Sequence, residues 1–579
     1  MASIEIFEKY IKSRIWSKNY DEGVPPEVDI RPATLYTYLD KQASERGHAT
    51  AYIYFGNKVA FKTVGDHSDR VAAALKEWGV GKGDVVALYM PNTPAFPIIY
   101  YGALKVGAAV TPMNPLYTPR EVVYQLKDSG ARILFAADVL YKNVEEAMKM
   151  YQIDRVVVVE ITEYMPPLIK PLAKMRLKPP KIQYGGRVLP YKDLLRYSPT
   201  SYRASVNPGE DLAALMYTGG TTGTPKGAQI THGNISSNLQ QLKPLYDVVR
   251  RRRGLEGELV MMGLLPWYHI YGQVTVMHYG IFDGATVVVM PRPDILQLMK
   301  LVQKHGVHVL HGVPTLYNMI VNHPKAKEFK LSSLAFCISG AAPLPVEVAK
   351  KFEELTGAVL REGYGLTETA VVTHVNPLYG KAKAGSIGLP IPSTYAAVAD
   401  PDRPELLPPG QVGEIVISGP QVFKGYHNRP EENAQAFFEC CGLRWFRTGD
   451  MGYMDEEGYF YIVDRKKDMI KYKGYSVFSR EIEEVLYQHP CVKEAAVIGV
   501  PHPEAGEIPK AFIVLRDECK GKVTPDDIIK WTEDKLAHYK RPRAVEFRDD
   551  LPKSAVGKIL KRELKAEELR KIQQAEAKA

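Results

Sequence analysis

The residues best suited to chemistry lie together at 217–227, where the chain reads YTGGTTGTPKG. Four glycines, four threonines and one lysine occupy nine of these eleven positions, directly after the apolar run LAALM. Glycines leave backbone N–H groups open to an anion, threonine hydroxyls add donors, and Lys226 adds a point charge. Thr218, Gly219, Gly220, Thr221, Thr222, Gly223, Thr224 and Lys226 therefore form a candidate cradle for a triphosphate. The spacing is not that of a Walker A loop, in which the lysine is followed by Ser or Thr. Here Lys226 stands between Pro225 and Gly227. A surface linker rarely packs threonine and lysine so densely beside a buried strand.

The segment resembles the phosphate-binding loop of the adenylate-forming superfamily, which includes acyl-CoA synthetases, beetle luciferases and nonribosomal peptide adenylation domains. Further matches follow in family order along nearly the whole chain. PWYHIYG (266–272) resembles the segment whose histidine lines the carboxylate pocket, which implies His269 there with Tyr271 beside it. SGAAPL (339–344) and EGYGLTET (362–369) resemble the adenine and metal segments. The resemblance implies Gly340, Ala341 and Tyr364 at the adenine, Thr367 near the α-phosphate and Glu368 on Mg²⁺. One carboxylate plus phosphate oxygens is a usual donor set for that cation. RTGD (447–450) implies Asp450 on the ribose, joined by Arg465 of YIVDRKKDMIKYKG. Lys467 matches the family hinge, and Lys471, Lys473 and Gly474 match the face used in the second half-reaction. LPKSAVGK (551–558) puts Lys558 at the adenylation lysine, whose charge would stabilise the oxygens of the attacked α-phosphate.

HGVHVLHGVP (305–314) resembles the strand leading into the acyl pocket, with Gly312 and Val313 at its wall. Its three histidines, His305, His308 and His311, suggest zinc. On a strand, however, a spacing of three puts neighbours on opposite faces, so no metal is expected. Within the superfamily the chain is most similar to long-chain fatty acid–CoA ligases, through MNPLYTPRE (113–121), GSIGLPIPST (385–394), GPQVFKGYHNRPE (419–431) and DRKKDMI (464–470). The resemblance implies ATP, Mg²⁺ and coenzyme A, with a fatty acid adenylated and then passed to the thiol. A CoA ligase for a short, hydroxylated or aryl acid is the alternative. Amino-acid adenylation is disfavoured, because no Asp occurs between Pro266 and Gly280 to hold an ammonium. A non-catalytic nucleotide-binding scaffold is a remote reading, since Glu368, Asp450 and Lys558 are all present. Two departures stand near the expected thiol-side surface: Ser479 where proline is common, and Ser476 where an amide side chain is frequent.

These groups must be positioned by a chain of 579 residues, too long for one core. Short apolar runs alternate with helical stretches: VVALYMP (85–91), RILFA (132–136) and RVVVV (155–159) read as buried strands, and 94–108 as a helix. The pattern predicts an α/β fold with a largely parallel sheet. The expected architecture is a large N-terminal domain, 1–464, of α/β sheets with a β-rich subdomain at about 390–464. A small mobile α+β domain follows at 465–579, with the hinge near Lys467. EIEEVLYQ (481–488) reads as a helix, VKEAAVIGVP (492–501) and KAFIVL (510–515) as strands, and the tail from Lys561 as a solvated charged helix.

A net charge of +9 suits anionic ligands without naming one. The run Arg250 to Arg253 reads as an exposed loop, and no nucleic-acid partner is expected. At 164–182 five basic residues and no acid interleave with Leu168, Ile169, Leu172, Met175 and Leu177. A peripheral membrane contact and a proline-broken linker both fit. No secretory signal or apolar stretch of spanning length is seen, so the expected location is the cytoplasm, with peripheral membrane attachment as an option. Five cysteines without CxxC spacing read as reduced thiols rather than a disulfide framework. Oligomeric state has no signature.

Overall fold

The computed structural model describes residues 2–218, 225–473, 475–553 and 559–576. The chain divides into two compact units: one of residues 14–395 and 417–437, the other of 1–13, 396–416 and 438–579.

The unit containing 14–395 is built on two sheets. In an eight-stranded sheet the strands Ala109–Met113, Val85–Tyr89, Ile133–Ala137, Arg155–Val159 and Val188–Pro190 run parallel in that spatial order. Helices such as Ala95–Lys105 and Pro119–Ser129 connect them. Both faces of such a sheet are covered, which is why its strands read as unbroken apolar runs. The antiparallel pair Leu212–Thr218 and Lys226–Thr231 extends this sheet, and Gly425–Tyr426 closes its edge. A nine-stranded sheet carries the parallel strands Val260–Gly263, Val309–Gly312, Phe336–Ser339 and Val359–Leu366.

The other unit holds a six-stranded sheet that includes Gly413–Ser418, Leu443–Met454 and Phe460–Arg465. It also holds a five-stranded sheet around the long hairpin Val492–His502 and Gly506–Leu515. Helix Ser479–Tyr487 buries Ile482 and Leu486 against that hairpin.

Several sequence expectations change here. Cys491 and Cys519 form a disulfide, with Cα atoms 5.5 Å apart. Val492 pairs with Leu515, so the hairpin brings its two flanks together; a separation of 28 residues gave no hint of this. Cys337, Cys440 and Cys441 are free thiols. Closing a loop of that size restricts the unfolded chain by roughly 3 kcal/mol. Reduction, or Cys491→Ser, should therefore lower the melting temperature of this unit by several degrees in calorimetry. An unchanged transition would show that the bond contributes nothing.

Arg250 to Arg253 are not a loop but the last turn of helix His232–Arg253, where cations oppose the negative end of the helix dipole. The tail helix Lys561–Glu576 is not fully solvated: Leu564 is buried, and Glu568 pairs with Lys510 at 2.7 Å. Among the described residues no helix is long and apolar enough to cross a membrane.

Candidate active site

The glycine–threonine segment grows out of a hairpin. Thr218 lies opposite Lys226 in the antiparallel pair Leu212–Thr218 and Lys226–Thr231. Its two strands are tied down from outside: Tyr217 donates its hydroxyl to Asp128 at 2.7 Å, and Tyr124 donates to the Pro225 carbonyl at 2.7 Å. Asp128 also holds Arg429 at 2.9 Å. Gly219, Gly220, Thr221, Thr222, Gly223 and Thr224 lie outside the described residues.

The stretch 423–427 joins this hairpin to the GYGLTE segment. His427 donates its N–H to the Gly227 carbonyl at 2.8 Å, and Phe423 donates to the Glu368 carbonyl at 2.8 Å. Tyr426 thereby stands beside two charged groups. Its hydroxyl donates to Glu368 Oε1 at 2.8 Å, and the Lys226 ammonium sits 5.6 Å from its ring centroid. Lys226 also pairs with Glu432 at 3.2 Å and holds that carboxyl below the usual range. Fold thus unites Lys226 and Glu368, which are far apart in sequence, with Tyr426 and Glu432. Sequence reasoning missed the last two. Tyr426 lay inside GPQVFKGYHNRPE, which marked the likeness without marking a function.

Glu368 and Thr367 occupy the short turn Thr367–Thr369, capped by the Thr369 hydroxyl on the Leu366 N–H. Gly365 is required before that turn: a Cβ there would fall 1.4 Å from the Val371 carbonyl oxygen. Tyr364 packs its ring 5.7 Å from that of His374. Gly340 ends strand Phe336–Ser339 and donates to the Gly312 carbonyl at 3.1 Å. Its neighbour Ala341 takes φ of 69°, a left-handed conformation that a non-glycine residue adopts at a cost.

His269 caps the short helix Ile270–Gly272, and its Nδ1 accepts the Tyr271 N–H at 3.2 Å. That acceptor role places the neutral ring's proton on Nε2. Tyr271 is anchored by its hydroxyl on the Ile338 carbonyl at 3.1 Å, and its ring covers Gly340. Gly312 and Val313 follow at the end of strand Val309–Gly312 and the start of helix Pro314–Val321. The adenine, carboxylate and acyl-wall residues expected from sequence therefore meet through Tyr271 and Gly340. Of the three histidines, only His311 lies in a strand; its Nε2 faces the Tyr246 hydroxyl at 2.7 Å. His305 ends helix Ile295–His305, and His308 Nδ1 accepts the Val260 N–H, so the strand geometry assumed for all three was wrong.

In the other unit, Asp450 and Arg465 are cross-strand partners, with Oδ1 2.6 Å from Nε. The Asp450 side chain is almost fully buried at 2% exposure, so the arginine and its neighbours offset the cost of its charge. Lys467 follows two residues later, at the exit from strand Phe460–Arg465. Lys471 lies in strand Ile470–Tyr472, and its N–H donates to Glu507 at 3.0 Å. Lys473 holds φ of 47° and donates its N–H to the Ala505 carbonyl. Gly474 and Lys558 lie outside the described residues. Ser479 is not near a surface: it is fully buried, with its hydroxyl on Asp464.

The features of each unit are those expected of an enzyme that binds a nucleotide. Residues 39–427 match the AMP-binding enzyme family and residues 481–558 its C-terminal domain. The chain belongs to the AMP-binding enzyme family. It is 39% identical over 559 residues to the long-chain-fatty-acid–CoA ligase of Bacillus subtilis, covering 96% of this chain and 98% of that protein. It is 34% identical over 549 residues to 4-coumarate–CoA ligase 3 of Oryza sativa, covering 93% of each. Its fold matches the ATP-bound crystal structure of MatB from Rhodopseudomonas palustris with a TM-score of 0.79 at 28% identity, over 93% of this chain and 99% of that one.

Proposed function

We propose that the protein condenses a long-chain fatty acid with ATP to give acyl-AMP and pyrophosphate, then transfers the acyl group to coenzyme A with release of AMP. The observation that carries this is the union of Lys226, Tyr426 and Glu368 in a chain similar end to end to a long-chain ligase.

A carboxylate is a poor electrophile. Attack of its oxygen on the α-phosphorus forms a mixed anhydride, and the bond to pyrophosphate breaks. Lys226 binds the triphosphate, displacing Glu432 as its counter-ion. Tyr426 keeps the Glu368 carboxylate oriented. His269 points a proton from Nε2 at the acyl carboxylate. Asp450 and Arg465 would hold the ribose hydroxyls, and Lys558 would supply the cation that stabilises the oxygens on which charge grows. Glu368 fits a Mg²⁺ role. Among the described residues no cluster of three His, Cys, Asp or Glu side chains surrounds it, so phosphate oxygens would complete the shell. When bound, the cation neutralises phosphate charge. In the second step the thiol sulfur attacks the acyl carbon and AMP leaves. Lys471, Lys473 and Gly474 serve that step after a turn about Lys467.

Pyrophosphate release from ATP, Mg²⁺ and CoA, measured with acids from acetate to oleate and 4-coumarate, tests this reading. A maximum at twelve carbons or more is expected. Activity confined to short or aryl acids would replace it with the alternative that the rice relative exemplifies, and silence on every acid would discard it.

The acid would be drawn from lipid. Helix Lys170–Leu177 has no buried residue, and Leu168, Leu172 and Met175 are 95%, 62% and 67% exposed among Lys170, Lys174, Arg176 and Lys178. Within 164–182 only Lys170–Leu177 forms a helix, and cations around exposed apolar side chains suit an anionic bilayer surface. Replacing Leu168, Leu172 and Met175 with serine should cut sedimentation with phosphatidylglycerol vesicles about tenfold or more. Equal binding of variant and parent would remove the membrane role.

A further inference from the structure

The described residues on either side of the expected adenylation lysine are tied down. On the N-terminal side Lys553 pairs with Glu494 at 2.9 Å and with Asp550 at 2.6 Å. Lys553 and Ile559 form an isolated antiparallel bridge, and Leu560 donates its N–H to the Pro552 carbonyl at 2.8 Å. On the C-terminal side stands Lys561, three positions after Lys558, with a side chain only 18% exposed.

Lys561 is the end of a buried polar chain. Its ammonium meets Glu483 at 2.8 Å and donates to the Ser479 hydroxyl at 2.6 Å. Ser479 in turn donates to Asp464 Oδ2 at 2.9 Å, and Asp464 also accepts the Arg480 N–H. Glu483 accepts the Val497 N–H at 2.6 Å, which locks its carboxylate to the strand floor. Burial works against the charge on Lys561, and the Glu483 carboxylate keeps the lysine protonated despite it. Asp464 and Ser479 are both buried.

Ser479 holds the centre of this chain. It sits at the start of helix Ser479–Tyr487, where proline would serve the helix equally well. Proline carries no hydroxyl and could not join Asp464 to Lys561. The departure noted in the sequence therefore has a geometric consequence: it links the end of strand Phe460–Arg465, just before Lys467, to the shoulder of the Lys558 segment.

From this geometry we infer that Ser479 and Lys561 are positioning residues for the adenylation step, with the chain Asp464–Ser479–Lys561–Glu483 fixing Lys561, three positions after the expected adenylation lysine Lys558. The inference rests on the function proposed above and adds to it residues that touch no substrate. Misplacing a reacting group by a fraction of an ångström lowers rate without weakening substrate binding.

The test separates the half-reactions. Acid-dependent ATP–pyrophosphate exchange reads adenylation; transfer from synthetic acyl-AMP to CoA reads the second step. Ser479→Ala should lower the exchange kcat about tenfold with KM for ATP unchanged, and leave acyl transfer within about twofold. Ser479→Thr, which keeps the hydroxyl, should restore exchange. Lys561→Met combined with Glu483→Gln removes both members of the ion pair together and should show the same split, without leaving Glu483 buried and unpaired. Equal losses in both half-reactions, or no rescue by threonine, would overturn the positioning role and leave the ligase reading intact. A parent protein lacking acid-dependent exchange would instead overturn the ligase reading, and this inference with it.

Discussion

Lys558→Ala should abolish acyl-AMP formation while sparing both nucleotide binding and thioester formation from preformed acyl-AMP. The reason lies in where charge appears. The triphosphate enters with its charge already spread over the outer phosphates, where Lys226 meets it. Only as the carboxylate oxygen closes on the α-phosphorus does charge concentrate on the α-phosphate oxygens. A cation aimed at that point acts on the transition state far more than on bound ATP. Losing one such stabilising group costs about 10²–10³ in rate. Single-turnover formation of acyl-AMP, followed with labelled ATP, should fall by that factor with little change in the dissociation constant for ATP. Equal weakening of ATP binding would make Lys558 a ground-state contact and strip it of the catalytic role.

Glu368→Gln is expected to be nearly as damaging, for a different reason. The amide oxygen can still accept the Tyr426 hydroxyl that lies 2.8 Å from Oε1, so the local packing should survive. What disappears is the negative charge. A hard divalent cation shared between triphosphate and protein would lose its anionic protein ligand, and the Mg²⁺ concentration needed for half-maximal activity should rise steeply. A rate loss of about 10² at physiological Mg²⁺ follows, partly recovered at high Mg²⁺, with the melting temperature of the ligand-free protein almost unchanged. Tyr426→Phe should fall between parent and Glu368→Gln, since it loosens the carboxylate without removing its charge. A magnesium dependence identical in parent and Glu368→Gln would sever Glu368 from the metal.

The two variants probe different kinds of information in the chain. Glu368 sits within a short contiguous segment, EGYGLTET, whose likeness to a family motif is readable from the residues alone. The same is true of the Thr218–Lys226 stretch, of RTGD and of the run ending at Lys558. Contiguous segments survive reading in one dimension because the likeness to the family is carried by adjacent residues. The parallel strands were equally legible: Val85–Tyr89, Ile133–Ala137 and Arg155–Val159 are buried on both faces, and burial on both faces leaves no polar alternation to disguise them.

Pairwise chemistry between distant segments was not legible. Tyr426 reaches Glu368 across 58 positions, and Lys561 reaches Ser479 across 82. Neither partner carries a local mark, because a lysine in a basic tail or a tyrosine in a loop looks like any other. The Cys491–Cys519 bond failed for the same reason: only the hairpin that folds Val492 onto Leu515 makes the two sulfurs neighbours. Helix Lys170–Leu177 marks a subtler limit, since composition showed its cations and apolar residues but not that none of its residues would be buried and that Leu172 and Met175 would be exposed.

By itself, then, the sequence determined the family and the strand–helix alternation, and marked candidates for the phosphate, metal and ribose contacts, because each is written in adjacent residues or in a short period. Tertiary structure alone decided how those residues are held: the Tyr426 bridge to Glu368, the Glu432 counter-ion on Lys226, the Asp464–Ser479–Lys561–Glu483 chain and the disulfide. Those depend on which strands become neighbours, and strand order is set by burial summed over the whole core rather than by any local pattern of residues.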